Sequence, residues 1–400
     1  MADLTATTRR LDGDVDLLAA AGPDGVLFER GRAGLAGRGV ALRVPVGDVG
    51  DALAAIAVDD EVGLPGCGPV AFGALPFRRT DWANASVVVP SVVWGRAEDG
   101  SRWVTTIGSG PIEVPQPVEL PRSVAPGGVR VAPAKPAAWW CDLVARATAD
   151  IAAPGSELEK VVLAREVVVE ADEPLDRLGI LNRLRELYRG CFVTHVDGFL
   201  GASPELLVGR SGDVVRAQPM AGTAPRGGDS ATDARLAAGL LASATYRHEH
   251  QVTIDDVHDT LLGWCSYVDF EPEPSVVAVA NVQHLATLVE GRLSRPAPSV
   301  LELVEALHPT PAVNGRPRET ATAWIEANEE LDRGRYAGTV GWVDAAGNGQ
   351  WAVSIRCADV DGRRARLFAG NGIVAGSDPA TELAETQAKL QALLSVLVRV

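Results

Sequence analysis

The sequence lacks paired cysteines and long apolar runs. Its five cysteines are scattered and form no CxxC pair, so neither a disulfide framework nor a zinc site is predicted. No segment has enough consecutive apolar residues to cross a bilayer, and the first residues, MADLTATTRRLDGD, lack the apolar core of a secretion signal. We therefore expect a cytoplasmic protein with reduced thiols and no membrane contact.

Positive charge is also scarce. The chain has 37 lysines and arginines against 52 aspartates and glutamates, a formal net charge of −15. Such a surface repels nucleic acids and anionic membranes on average, so we expect no nucleic-acid partner. An anionic substrate would need a local basic pocket or a divalent cation. The 400 residues are 46% hydrophobic, which is enough to fill a sizeable core.

Predicted strands and helices come in blocks along the chain. Short β-rich runs separated by glycine and proline turns occupy residues 38 to about 110, and a proline-rich surface connection follows over Pro111–Pro136. Helices are predicted at residues 137–153, 175–188 and 232–267, and from Asp378 to the C-terminus. Strands are predicted at KVVLAREVVVE, CFVTHVDGFLGASPELLV, SVVAVANVQHLATLVEGRL, YAGTVGWVD, GQWAVSIRCADV and RARLFAGNGIV. Because strict βαβ alternation is absent, we predict an α+β fold with large antiparallel sheets.

Two segments place an ionisable group against apolar residues. Lys160 heads the apolar strand EKVVLAR, where desolvation lowers a lysine pKa and a neutral amine can act as a base. The alternative is a strand-end lysine that reaches solvent. Glu205 in GASPELLV follows a turn and precedes two leucines, where apolar walls raise a carboxyl pKa and suit a general acid. The alternative is an ordinary turn carboxylate.

Carboxylates on two predicted helices suggest a metal. Glu382, Glu385 and Lys389 share one helix face by their spacing, which is also typical of a solvated charge ladder. Glu249 lies between His248 and His250, whose separation of two residues prevents both from facing one zinc ion. Glutamates from two helices, Glu249 and Glu385, instead suit Mg²⁺.

Further polar residues occur at predicted strand ends and turns. Gly222 and Thr223 in AQPMAGTAPRGGD offer hydrogen-bond donors, although the run lacks the ending of a phosphate loop. Arg356 ends an apolar strand, where it faces either an anion or a structural carboxylate. Tyr336 can supply a hydroxyl to the same site. His284 and His308 are each consistent with structural roles.

With these segments in order, the chain resembles the chorismate-utilising enzymes of menaquinone, siderophore and tryptophan biosynthesis, which include anthranilate synthase component I, and isochorismate synthase most closely. The motifs span roughly the last three quarters: KVVLAR, GASPELL, AGTAPRG, HEH, VQHLAT, LHPTPAVNGRP, RGRYAGTVGW, AVSIR, AGNGIVAGSDP and ELAETQAK. The resemblance implies one domain over residues 1–400 with two packed antiparallel sheets flanked by helices. Residues 1–136 would be its less motif-rich part, and residues 137–400 its chorismate-binding core.

The resemblance also implies roles for particular residues. Lys160 would be the base that activates water for attack at C2 of chorismate, and Glu205 the acid that protonates the departing C4 hydroxyl. Mg²⁺ would bind Glu249 and Glu385 directly and Glu382 through water, while Arg165 would help to keep Lys160 neutral. The residues expected to bind substrate are Gly222, Thr223, His284, Ala312, Tyr336, Arg356, Gly370, Gly372 and Lys389.

Ala312 distinguishes among the relatives. The HPTPA form resembles isochorismate synthase, whereas ammonia-using anthranilate-type enzymes and salicylate synthases resemble a threonine-bearing form. These two activities are the alternatives. We expect a monomer with no obligatory glutaminase subunit. Two departures from the family pattern are Tyr246, where an acidic residue is common, and Asn371, where relatives often have alanine.

Overall fold

The computed structural model describes residues 3–121, 126–279 and 282–398. Residues 122–125 of the proline-rich segment and residues 280–281 of the predicted strand SVVAVANVQHLATLVEGRL lie outside the described residues. Across the described ranges, no helix is both long enough and apolar enough to span a bilayer.

The helices and strands cover most of the described residues. The α-helices are α1 Leu17–Ala21, α2 Val49–Ala54, α3 Ala137–Ala152, α4 Arg177–Leu187, α5 Ser230–Ala242, α6 Ala244–Leu262, α7 Val300–Leu307, α8 Arg318–Asn328 and α9 Pro379–Val398. The strands are β1 Thr5–Arg10, β2 Val26–Arg30, β3 Ala33–Arg38, β4 Leu42–Pro45, β5 Ala57–Asp60, β6 Val70–Leu75, β7 Ser86–Val89, β8 Val92–Arg96, β9 Arg102–Gly108, β10 Val129–Pro133, β11 Lys160–Ala171, β12 Phe192–Val196, β13 Phe199–Ser203, β14 Leu206–Ser211, β15 Val214–Gln218, β16 Met220–Pro225, β17 Cys265–Phe270, β18 Ser275–Val279, β19 Val282–Ala286, β20 Val289–Leu293, β21 Gly315–Arg316, β22 Thr339–Asp344, β23 Gly349–Val353, β24 Cys357–Asp361 and β25 Arg364–Ile373. Short 3₁₀ turns occupy Val46–Asp48 and Arg79–Asn84.

Two large sheets dominate the described residues. The larger has the order β10-β11-β25-β24-β13-β12-β2-β3-β8-β9-β1-β5, with β21 also paired to β11. The second has the order β17-β20-β15-β14-β23-β22-β6-β7-β4, and a small sheet has the order β16-β19-β18. Strand β1 pairs parallel with β5, whereas β11 pairs antiparallel with β25 over ten residues. The predicted α+β class with large antiparallel sheets is confirmed.

The core lies between the two large sheets. Along β12, Phe192 belongs to the apolar cluster shared by both sheets, whereas Val193 belongs to a second cluster that includes α1, α4 and α9. Neighbouring strand residues face opposite sides, so this alternation places the three helices on the outer face of the larger sheet. Leu390 and Leu393 anchor α9 in that second cluster, which fixes the helix that carries Glu382, Glu385 and Lys389.

Several predicted segments are divided in the structure, and the strands predicted at SVVAVANVQHLATLVEGRL and GQWAVSIRCADV are each more than one strand. The single helix predicted at residues 232–267 is wrong, because Ser243 ends α5 and its hydroxyl accepts the backbone N–H of Tyr246 to begin α6. The strand predicted over CFVTHVDGFLGASPELLV is three strands. Asp197 and Gly198 take positive φ angles between β12 and β13, and Pro204 and Glu205 separate β13 from β14. The start of α9 is confirmed, since the Asp378 carboxylate accepts the N–H of Thr381 at 2.9 Å.

Candidate active site

All fourteen residues predicted for the site line one cavity of about 290 Å³, a volume near the lower end for small-molecule sites. They come from β11, β16, β19, β25, α6, α9 and four connecting segments. The residues are Lys160, Glu205, Gly222, Thr223, Glu249, His284, Ala312, Tyr336, Arg356, Gly370, Gly372, Glu382, Glu385 and Lys389. The structure therefore brings the whole predicted set together, while the role of each residue stays a prediction.

Lys160 is the first residue of β11 and points into the cavity. Burial lowers the pKa of its amine, and the nearby carboxylates of Glu249 and Glu205 oppose this shift. The prediction that Arg165 helps to keep Lys160 neutral is wrong, because Arg165 is not among the groups that shift the Lys160 pKa. Arg165 lies five residues along the strand, on the opposite face, where it donates to Thr386 and stacks over Trp140.

Glu205 lies between β13 and β14, and only 3% of it is exposed. Burial raises the pKa of its carboxyl from 4.5 to about 8, although the backbone N–H of Met220 and the charge of Lys160 act in the opposite direction. Desolvation thus favours the uncharged form of both groups, and the two side chains face the same cavity.

Arg356 lies between β23 and β24 with a left-handed φ of 53°. Its side chain is buried, and within the described ranges no aspartate or glutamate oxygen forms an ion pair with it. A buried guanidinium without a counter-ion is costly, so the cavity favours an anionic ligand here.

His284 orients this guanidinium. The imidazole Nδ1 lies 3.2 Å from the carbonyl oxygen of Gly222, which only accepts, and Nε2 lies 3.4 Å from Nη2 of Arg356, which only donates. The ring is therefore neutral with its proton on Nδ1. Burial, Arg356 and Lys389 lower the His284 pKa to about 3, in agreement with that state. Thr223 Oγ1 also lies 3.2 Å from Nδ1, on the strand paired with β19.

Lys389 uses all three of its N–H donors within the protein. Its Nζ lies 3.0 Å from the Gly370 carbonyl oxygen, 2.6 Å from Oδ1 of Asn371 and 2.6 Å from Oε1 of Glu385. To contact a substrate, as the sequence predicts, Lys389 must release one of these acceptors.

The carboxylates predicted to bind Mg²⁺ converge near Tyr246. Burial raises the pKa of its phenol, and Glu385, Glu249 and Glu382 raise it further, so all three charges act on one group. Carboxylate oxygens are the ligands that Mg²⁺ prefers. In this arrangement no three acidic, histidine or cysteine side chains of the described residues are grouped closely enough to hold an ion. Glu385 is paired with Lys389, and Glu382 with Asn371. The donor set fits Mg²⁺ in chemistry, and a bound ion would take Glu385 from Lys389.

Sequence reasoning missed several residues that line the cavity. The apolar ones are Val162, Pro204, Met220, Ala221, Val313, Ile355 and Val374. In the sequence they look like ordinary core residues. Tyr246 and Asn371 were recognised only as departures, yet both line the cavity. One available signal was composition: the chain has only three lysines, and two of them, Lys160 and Lys389, face this cavity.

A buried ion pair behind the cavity was also missed. Glu329 and Arg333 are joined by two hydrogen bonds of 2.7 Å, and both are less than 5% exposed. Glu329 accepts the N–H of Ala164, while Arg333 donates to the carbonyl oxygens of Val162 and Val313. The pair therefore ties the strand that begins at Lys160 to the turn that contains Ala312.

Known proteins are similar to this chain in sequence and in fold. A family model described as chorismate binding enzyme matches residues 122–398. A Mycobacterium tuberculosis protein named MenF is 40% identical over 95% of both chains, and the isochorismate synthase DhbC of Bacillus subtilis is 37% identical over 82% of this chain and 81% of its own. The menaquinone-specific isochorismate synthase MenF of Escherichia coli shares the fold, with a TM-score of 0.82 at 24% identity, over 98% of this chain and 94% of that one. The chain thus belongs to the family of chorismate-binding enzymes.

Proposed function

We propose that this enzyme is an isochorismate synthase that converts chorismate to isochorismate with Mg²⁺. The observation that carries the proposal is a half-buried lysine and a buried glutamic acid that line one small cavity, each favoured in its uncharged form by desolvation. Adding water at one carbon and removing a hydroxyl at another requires such a base and acid together.

Lys160 acts as the base. Its neutral amine accepts a proton from water as the water oxygen bonds to C2 of chorismate, and the ring double bonds shift. Glu205 then gives its proton to the C4 oxygen as that C–O bond breaks and water leaves. One water enters and one departs, so the reaction is an isomerisation. The resulting ammonium and carboxylate attract each other, as the opposing charge effects between Lys160 and Glu205 indicate.

Arg356 binds a carboxylate of the substrate, since its buried guanidinium has no carboxylate partner in the described ranges. The hydroxyl of Tyr336 lies at the same wall, beside Gly370: a Cβ on that glycine would lie 2.9 Å from it. A guanidinium and a hydroxyl donor together suit the enolpyruvyl carboxylate.

Glu249 and Glu385 would hold Mg²⁺, with Glu382 reaching it through water. When bound, the ion supplies positive charge for the ring carboxylate of the substrate. The enzyme acts as a monomer without a glutaminase subunit, and isochorismate leaves for menaquinone or siderophore synthesis, two of the three pathways of the resembled family.

Reaction in H₂¹⁸O tests the chemistry. Because the entering oxygen comes from solvent, isochorismate formed from unlabelled chorismate must carry one ¹⁸O, at C2, by mass spectrometry. Product that retains the original oxygen would mean that the hydroxyl migrates within the substrate, and Lys160 would then have no water to activate.

A further inference from the structure

The side chain of Asn371 joins two charged residues of the cavity. Asn371 lies on β25 and is 3% exposed. Its Nδ2 donates to Oε2 of Glu382 at 2.8 Å and to the Glu382 carbonyl oxygen at 3.1 Å, and its Oδ1 accepts from Lys389 at 2.6 Å. A carboxylate only accepts and an ammonium only donates, so these partners fix which end of the amide faces each residue.

The amide stands between opposite charges on one helix. Glu382 and Lys389 are seven residues apart on α9, two turns along one face, and each charge acts on the other. With Asn371 between them, Glu382 has a neutral donor as its partner, and Lys389 pairs with Glu385 four residues away.

The neutral partners matter when a cation binds. If Glu385 leaves Lys389 for a metal, the ammonium keeps two uncharged acceptors, Oδ1 of Asn371 and the Gly370 carbonyl oxygen. These two acceptors then retain its position, and no carboxylate of the described residues is hydrogen-bonded to it. The same amide keeps the Glu382 carboxylate fixed at the cavity wall.

We propose that Asn371 is a positioning residue, whose amide holds the Glu382 carboxylate ready for a divalent cation and keeps Lys389 available as a cation for the anionic substrate. This proposal rests on the proposed function, which supplies the cation and the substrate.

Two substitutions separate positioning from a structural role. Asn371→Ala removes one of the two side-chain donors to Glu382 among the described residues and leaves only Ser377, so the cation meets a less ordered carboxylate and binds more weakly. Asn371→Asp places a second carboxylate where Nδ2 now lies, facing Oε2 of Glu382, and a cation relieves that repulsion. The aspartate therefore strengthens cation binding, while its charge opposes the dianionic substrate. If Asn371 only supported the fold, the two substitutions would shift the affinity for Mg²⁺ in the same direction.

The experiment is calorimetric titration of Mg²⁺ into the wild-type protein and both variants without substrate, with KM and kcat for chorismate measured in parallel. We expect Asn371→Ala to weaken Mg²⁺ binding on the order of 10-fold. Asn371→Asp should tighten Mg²⁺ binding severalfold and raise KM. Asn328→Asp adds the same charge at the end of α8, outside the cavity, and should leave Mg²⁺ binding unchanged. Unchanged melting temperatures verify that the variants fold.

The outcomes separate this proposal from the proposed function. If both Asn371 variants weaken Mg²⁺ binding, or if both leave it unaltered, while the wild type makes isochorismate, the positioning role is wrong and the function stands. If the wild type makes no isochorismate but the two variants shift Mg²⁺ affinity in opposite directions, the function is wrong and the role of Asn371 stands. A wild-type protein that binds no Mg²⁺ without substrate contradicts the positioning role, and one that also makes no isochorismate with Mg²⁺ contradicts the proposed function.

Discussion

Gly372 leaves the space that the side chain of Lys160 occupies. A Cβ atom at Gly372 would lie 2.5 Å from Cε and 3.2 Å from Nζ of Lys160, closer than side chains pack. Gly372 is opposite Val162 in the ladder between β11 and β25, so its neighbour across the sheet comes from the strand that Lys160 begins. The glycine-rich run LFAGNGIVAG therefore provides the space in which the side chain of Lys160, the proposed base, lies.

Replacing Gly372 with alanine should lower kcat on the order of 100-fold, because the added methyl displaces the Lys160 amine from its position. Steady-state kinetics with chorismate measure this change. Gly376→Ala is the matched control, since no atom lies within 4 Å of a Cβ there. Equal kcat values for the Gly372 variant and the control would show that Lys160 does not act from this position.

The pH dependence of kcat should be bell-shaped. Lys160 must be neutral, so the rate rises with pH through its lowered pKa, and Glu205 must be protonated, so the rate falls as pH rises through about 8. Initial rates between pH 5 and pH 10 give the profile. A rate that still increases above pH 9 would remove Glu205 as the proton donor.

Glu205→Gln should abolish turnover and also change the pH dependence of stability. Between the ordinary carboxyl pKa of 4.5 and about 8, folded Glu205 keeps a proton that the unfolded chain has released. The stability associated with this proton is present below pH 4.5 and is lost as pH rises through about 8. Glutamine does not titrate, so the variant should gain on the order of 4 kcal/mol relative to wild type between pH 5 and pH 8. Urea unfolding at pH 5 and at pH 8 measures this gain. If the free energies of unfolding of variant and wild type differ by the same amount at both pH values, the raised pKa of Glu205 is contradicted.

Arg356→Gln should raise KM for chorismate by about 10- to 100-fold, the loss expected when a charged hydrogen bond is removed. The effect on kcat should be smaller, since Arg356 is proposed to bind a carboxylate remote from the bonds that change. Arg235→Gln, on the exposed side of α5, controls for the lost charge. A KM equal to that of the control would place the substrate carboxylate elsewhere.

Arg333→Met should destabilise the protein by about 3–5 kcal/mol, because it leaves the Glu329 carboxylate buried without its cation. The double variant Glu329→Gln, Arg333→Met should lose less, since no unpaired charge remains. Urea denaturation curves of the two variants test this order. If the double variant is the less stable, the pair contributes more through its backbone contacts to Ala164, Val162 and Val313 than through its charges.

Local patterns predicted some features well. The apolar run after Lys160 and the Asp378-Pro379 helix start depend on nearby residues, and both were found where expected. The break at Ser243 was missed because the residues on both sides favour helix. The partners of Lys389 could not be predicted, since they depend on β25 lying beside α9, a contact between separate elements. The environment of Lys160 likewise depends on strands distant in sequence, and the assumed influence of Arg165 ignored strand alternation. The extent of the domain, residues 1–400, stays a prediction.

The most direct test is chromatography of the products after the purified protein is incubated with chorismate and Mg²⁺, with and without ammonium. The account predicts isochorismate in equilibrium with chorismate, in equal amounts whether or not ammonium is present. Salicylate with pyruvate, or an amino product that requires ammonium, would contradict it.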